Sequence, residues 1–266
     1  MTTTVPPYIG VTGIMTAQEA RAALRIAKTW ESPYKVMLGV LASSKTLSGM
    51  KNRWPNRYPL PGRIAEIFLS HPKALNFLHY STDTPEFLAA QLLAAVKIAG
   101  PHLHGFQLNV QWPDVDELQH FHLNSSPVGR YQLVLQLGPQ AIYGCSSLEN
   151  LVRRVALYRD LVQYVLLDCS AGNAIGFDPA LTYARMEALR ESCPWAHVVV
   201  AGGISSKLET FCQLERLTSL QEHLSCDAES GLRTTDDDDL DIAEVQHYLK
   251  SVHLGFHRGL FGGAMR

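Results

Sequence analysis

Eight short runs of aliphatic and β-branched residues alternate with amphipathic segments through a chain of 266 residues. This alternation predicts a single-domain α/β fold built of parallel βαβ units, the (β/α)8 TIM barrel. Two further observations agree with it. The length suits one large α/β domain better than two small ones. The turn after the first strand-like run, Gly13-Ile14-Met15-Thr16, also lacks the G-x-G-x-x-G spacing of a doubly wound dinucleotide-binding sheet. The barrel is expected to span residues 1–252, with 253–266 as a glycine-containing C-terminal extension.

Tyr8–Ile14 reads as the first strand, and Thr16 caps a helix to about Thr29. Lys35–Ala42 is the second strand, followed by a long polar loop, Ser43–Pro61, and a helix over Gly62–Ser70. Ala74–Tyr80 is the third, with an Ala- and Leu-rich helix from Thr84 to Ala99. Leu103–Val110 and Asp114–Leu123 form the fourth pair, Tyr131–Leu137 and Ser147–Leu161 the fifth, Tyr164–Asp168 and Pro179–Glu191 the sixth. The seventh strand, His197–Ala201, carries three successive valines, as expected of a strand buried on both faces. Its helix is expected from Ser205. Leu224–Ala228 is a short eighth strand and Leu240–Val252 the closing helix.

The composition, 46% hydrophobic and 18% charged with a formal net charge of -2, is that of a globular protein. Near-neutral charge gives no electrostatic basis for binding nucleic acid or an anionic membrane. No apolar run reaches transmembrane length, and the start lacks a signal-peptide layout. Five cysteines without a CxxC pair suit reduced thiols, and a cytoplasmic location is expected. The histidine pairs His102/His104, His120/His122 and His253/His257 come with no evident third ligand, so neither a metal nor another cofactor is expected.

In such a barrel the functional groups lie at the C-terminal strand ends, and phosphate is commonly held by the loops after strands seven and eight. Gly202, Gly203, Ser230 and Gly231 fall in those loops, where small residues let backbone N–H groups approach an anion. Asp168 ends an otherwise apolar strand, as a brace for neighbouring turns or as an acid–base group whose pKa burial would raise. In the loop after the second strand Lys45, Arg53 and Arg57 are candidates to grip a carboxylate, and Trp54 to stack on a planar ring. The acidic run Asp236–Asp239 is expected to be solvated, placed to favour the N-terminus of the last helix.

Taken in order, these windows resemble the phosphoribosylanthranilate isomerases. The resemblance is carried by Val11-Thr12-Gly13-Ile14-Met15-Thr16, by Gln107-Leu108-Asn109, by Leu166-Leu167-Asp168 with Gly172, Gly176, Phe177 and Asp178, by Ala201-Gly202-Gly203-Ile204, and by Asp227-Ala228-Glu229-Ser230-Gly231. It implies a general acid at Asp168 and substrate contacts at Gln107 and Asn109. It implies a general base at the position of Thr12, where that family carries a cysteine. A threonine hydroxyl is a far weaker acid than a thiol and needs its own activating group. Cys169 and Cys226 are substitute thiols to consider, although buried cysteines are commonly packing residues.

The function implied is an aldose–ketose (Amadori) isomerisation of an N-substituted phosphoribosylamine, in tryptophan biosynthesis or a related pathway. Its partner is a small phosphorylated, sugar-derived substrate. Two alternatives keep the barrel: a lyase or epimerase acting on another sugar phosphate, and a non-catalytic binding protein derived from the isomerase.

Overall fold

The structure, a computed structural model, describes residues 5–125, 131–168, 179–221 and 223–258. The strands are β1 (Tyr8–Thr12), β2 (Lys35–Ser43), β3 (Ala74–Ser81), β4 (Gly105–Leu108), β5 (Gln132–Leu137), β6 (Tyr164–Asp168), β7 (His197–Ala201) and β8 (Ser225–Ala228). They pair in parallel in chain order and β8 closes on β1, giving the expected closed (β/α)8 barrel. Strand side chains alternate between two faces. On β6 Tyr164, Leu166 and Asp168 share the inner face, while Val165 and Leu167 pack outward in the large core under the helices.

The barrel interior is graded along its axis. Tyr8, Phe77 and Tyr164 meet edge to face, with ring centroids 5.2–6.2 Å apart, beside Met37, Val134, Leu166 and Val199. This aromatic and aliphatic filling closes the lower interior, as in other barrels whose centres are packed rather than open. Above it, towards the C-terminal strand ends, the inward positions turn polar. Thr12, His79, Gln107, Gln136, Asp168 and Asp227 are all buried there.

Several element boundaries differ from those the sequence predicts. The helix after β7 is Leu208–Glu215, so Ser205 does not cap it. Ser205 instead forms a parallel bridge with Gly231, tying the loop after β7 to the loop after β8. The last helix is Ile242–Arg258 and is capped by Asp241, whose Oδ1 accepts from the N–H groups of Ala243 and Glu244 at 2.9 and 3.2 Å. The acidic run therefore lies ahead of the cap. That helix continues past Val252 because His253 has a place in the core. Its ring stacks on Trp30 at 4.1 Å and its Nε2 lies 2.7 Å from Ser32 Oγ. In the long segment after β2, Ser43 caps a single helical turn, Ser44–Leu47. The helix expected over Gly62–Ser70 shrinks to Pro61–Arg63 and Ile64–Ile67, after which Phe68 turns to extended backbone and is buried.

Gly105 is required by close strand packing. A Cβ there would lie 2.0 Å from the carbonyl oxygen of Gln132 on β5. Because that neighbour is backbone, relief means moving a strand, at a cost of about 1–3 kcal/mol for such overpacking. Gly105→Ala is expected to lower the thermal midpoint by about 2–4 °C per kcal/mol, measured by circular dichroism. An unchanged midpoint would show that β4 and β5 are not held this closely.

Candidate active site

The polar layer is organised around Asp227. Its carboxylate accepts from Thr12 Oγ1 at 3.0 Å (Oδ1) and 2.9 Å (Oδ2), and Gln107 Nε2 donates to Oδ2 at 3.2 Å. Gln107 Nε2 also lies 3.2 Å from Gln136 Oε1, and Gln136 Nε2 donates to Asp168 Oδ2 at 3.2 Å. One buried network thus runs from β1 to β8, to β4 and β5, and ends on β6. Register brings the acids near each other, since Asp168 pairs with Ala201 and Ala201 with Asp227.

Two glycines make room for it. A Cβ on Gly10 would stand 2.6 Å from Asp227 Oδ1, and one on Gly39 would stand 2.4 Å from Thr12 Oγ1. Burial disfavours the ionised carboxyl and pushes Asp227 up to about 7. The Thr12 and Gln107 donors pull it back, while the charges of Glu229 and Asp168 push it further. A group balanced there exchanges a proton near neutral pH, as a general acid or base must. Cys226 is pushed by burial up to about 12, and its Sγ lies 3.2 Å from Tyr248 Oη on the helical side of β8. It is a packing thiol that faces away from the interior layer.

The rim is held by arginines. Arg57 donates to Asp238 through Nε (2.6 Å) and Nη2 (2.7 Å), and to Glu229 Oε1 through Nη1 (3.0 Å). The Asp238 hydrogen bonds are the main cause of its raised pKa. Asn56 Nδ2 donates to the Asp237 carbonyl at 2.7 Å. Arg233 donates to the carbonyls of Asp238 (2.6 Å) and Gly13 (3.1 Å). The segment after β2 is thereby strapped to the segment after β8. Asp238, expected to be solvated, is the main anchor of that strap.

The residues singled out in the sequence do not all meet at one place. Thr12, Gln107 and Asp168 belong to the buried network. Gly202 and Gly203 turn with φ of +88° and +73°, and a Cβ on Gly231 would lie 2.3 Å from the Ile204 carbonyl oxygen. With Ser230, these glycines bring the loops after β7 and β8 side by side at the rim. The carboxylate-gripping candidates are engaged with the protein itself. Lys45 pairs with Asp83, Arg53 stacks over the Trp54 ring at 3.6 Å, and Arg57 holds the strap. Asn109 is exposed beyond the end of β4, its N–H bonded to the Tyr80 carbonyl. Cys169, Gly172, Gly176, Phe177 and Asp178 lie outside the described residues. Among the described residues no three His, Cys, Asp or Glu side chains gather as metal ligands.

Sequence reasoning passed over Asp227, Gln136 and His79 as site residues. For His79 and Gln136 the signal was available: a polar side chain two residues on from an inward apolar one, at the C-terminal end of a buried strand. Asp227 instead follows Ser225 at that spacing, and its signal was a carboxylate near the end of a short buried strand.

Fold and site together define a (β/α)8 barrel whose C-terminal mouth holds two buried carboxyls in one hydrogen-bond network. Among solved structures the chain is similar to a provisionally assigned lyase/mutase of Burkholderia cenocepacia J2315, at 15% identity and a TM-score of 0.50. The alignment covers 100% of this chain and 90% of that one, and bears on the fold alone. No protein-family model and no curated protein matches the chain. No helix among the described residues is long and apolar enough to cross a membrane.

A carboxyl whose folded pKa lies near 7 keeps a proton that the unfolded chain, titrating near 3.8, has already lost. Stability contributed at this site therefore falls as pH rises from about 4 to about 7 and is level above that. Asp227→Asn removes the dependence. Its stability relative to the parent is expected to improve across that window, by up to about 4 kcal/mol. Chemical denaturation at pH 4 and pH 8 measures this; an equal difference at both pH values would place the proton elsewhere.

Proposed function

We propose that this barrel is an aldose–ketose isomerase acting on a phosphorylated, N-substituted ribosylamine. Asp168 donates a proton to the ring oxygen, the C1–O bond breaks, and the ring opens to an iminium ion. Asp227 then takes the C2 proton to give an enaminol. Return of a proton to C1 and loss of the hydroxyl proton complete the aminoketose. The overall change is an internal redox exchange between C1 and C2, so no external oxidant or reductant is needed. The loops carrying Gly202, Gly203, Ser230 and Gly231 are assigned to the phosphate.

The observation that carries this reading is Asp227 itself, balanced near neutrality and linked through Gln107 and Gln136 to a second carboxyl. It supplies the base that Thr12 cannot. In this role Thr12 is a positioning residue, because its hydroxyl donates to both Asp227 oxygens and stabilises the ionised form.

The direct test is complementation of a tryptophan auxotroph lacking phosphoribosylanthranilate isomerase. Growth is expected with the parent chain and not with Asp227→Asn or Asp168→Asn, each of which should lose about 10²–10⁴ in rate. No growth with the parent, together with thermal stabilisation by ribose phosphates, would point to another reaction on a sugar phosphate. No stabilisation at millimolar ribose phosphate would leave the binding reading without support as well.

Thr12→Val offers a second test. It removes a donor to the Asp227 carboxylate, so the base needs a higher pH to ionise. The lower limb of the kcat/KM profile is expected to move to higher pH, with the upper limb unmoved. A uniform fall at all pH values would instead mean that Thr12 matters only for packing.

A further inference from the structure

His79 stands at the C-terminal end of β3, two residues beyond Phe77 of the barrel interior, and is 8% exposed. Neither of its ring nitrogens meets hydrogen-bond geometry with a described residue, although the Gln136 side chain is close enough to raise its pKa. Its register neighbour on β4 is Gln107. The Gln107 amide nitrogen is committed to Gln136 and Asp227, whereas its buried Oε1 accepts nothing. Two adjacent strands thus present three buried polar atoms without a well-formed hydrogen bond to a described residue, on the same polar layer as Asp168 and Asp227. Native interiors rarely leave such atoms unpaired, and at a barrel mouth a group that docks there is the economical explanation.

The chemistry of the three atoms restricts that group. Burial lowers the His79 pKa, against the partial opposition of Glu229, Asp168 and the Gln136 side chain, so the ring is neutral at pH 7. A neutral imidazole offers one N–H donor and one acceptor nitrogen, and an amide oxygen offers acceptance only. A phosphate dianion brings acceptors alone, and would meet two acceptors and the nearby acids. An aromatic ring would leave all three atoms unpaired. A hydroxyl both donates and accepts, and two neighbouring hydroxyls satisfy the whole set.

We infer that His79 and Gln107 form a wall that reads adjacent hydroxyls, so that the mouth takes the vicinal diol of a sugar ring on its β3–β4 side. This rests on the reading of the mouth as a sugar-phosphate site and specifies which wall meets the sugar. It also places His79 in direct contact with the ligand.

The probes are D-ribose 5-phosphate, 2-deoxy-D-ribose 5-phosphate and inorganic phosphate, measured by calorimetry on the full chain. The ribose compound is expected to bind about tenfold more tightly than the deoxy compound. In His79→Phe that ratio should collapse to about twofold, with the affinity for inorganic phosphate unchanged. His79→Gln, which keeps a donor and an acceptor, should retain part of the ratio and serves if the phenylalanine variant does not fold. In the parent, the His79 ring 15N resonances should move with ribose 5-phosphate and stay in place with inorganic phosphate. Equal affinities for the two sugars, a ratio untouched by both variants, or unmoved His79 resonances would overturn the inference while leaving the mouth a phosphate site. Failure of all three probes to bind would overturn the site reading and this inference together.

Discussion

Keeping the carboxyl of Asp227 inside the barrel is the constraint around which the upper half of this structure is arranged. An isolated buried carboxylate is costly, and it persists only where hydrogen-bond donors converge on it. Thr12 and Gln107 provide those donors from β1 and β4, on different sides of the barrel. Gly10 and Gly39 are the complementary provision, since a side chain at either would occupy the carboxyl's space or that of its donor. Burial raises the carboxyl and these donors draw it back, leaving Asp227 balanced near 7.

The same carboxyl links the interior to the rim. Glu229, two residues on, raises the Asp227 pKa through its charge and is itself held by Arg57. Arg57 also grips Asp238, so one guanidinium offsets acid at the mouth and fastens the segment after β2 across it. Arg233 adds contacts to Gly13 and Asp238 from the other side. These pairs are partly exposed, so each adds little to global stability. Their consequence is local: they fix which groups surround the entrance.

Much of this was legible along the chain. The eight strands were visible because buried parallel strands are continuous apolar runs, and β6 and β7 match their expected limits residue for residue. Helix limits were less legible. Ser205, a good capping residue by type, pairs with Gly231 across the rim, and His253 extends the last helix because Trp30 and Ser32 receive it. Lys45 and Arg57 of the long loop were by their type candidates to bind acids. Their type did not show that those acids belong to Asp83, Asp238 and Glu229 of the same chain.

The sequence by itself determined the barrel and its strand order, because these follow from local patterning and from the short connections of βαβ units. It also determined where small residues would cluster after β7 and β8. The tertiary structure alone decided that Asp227 shares one hydrogen-bond network with Thr12, Gln107, Gln136 and Asp168, and that His79 is buried beside it. Those contacts join residues up to 215 positions apart. They depend on the stagger with which eight strands close, a property of the whole ring that no single stretch of chain encodes.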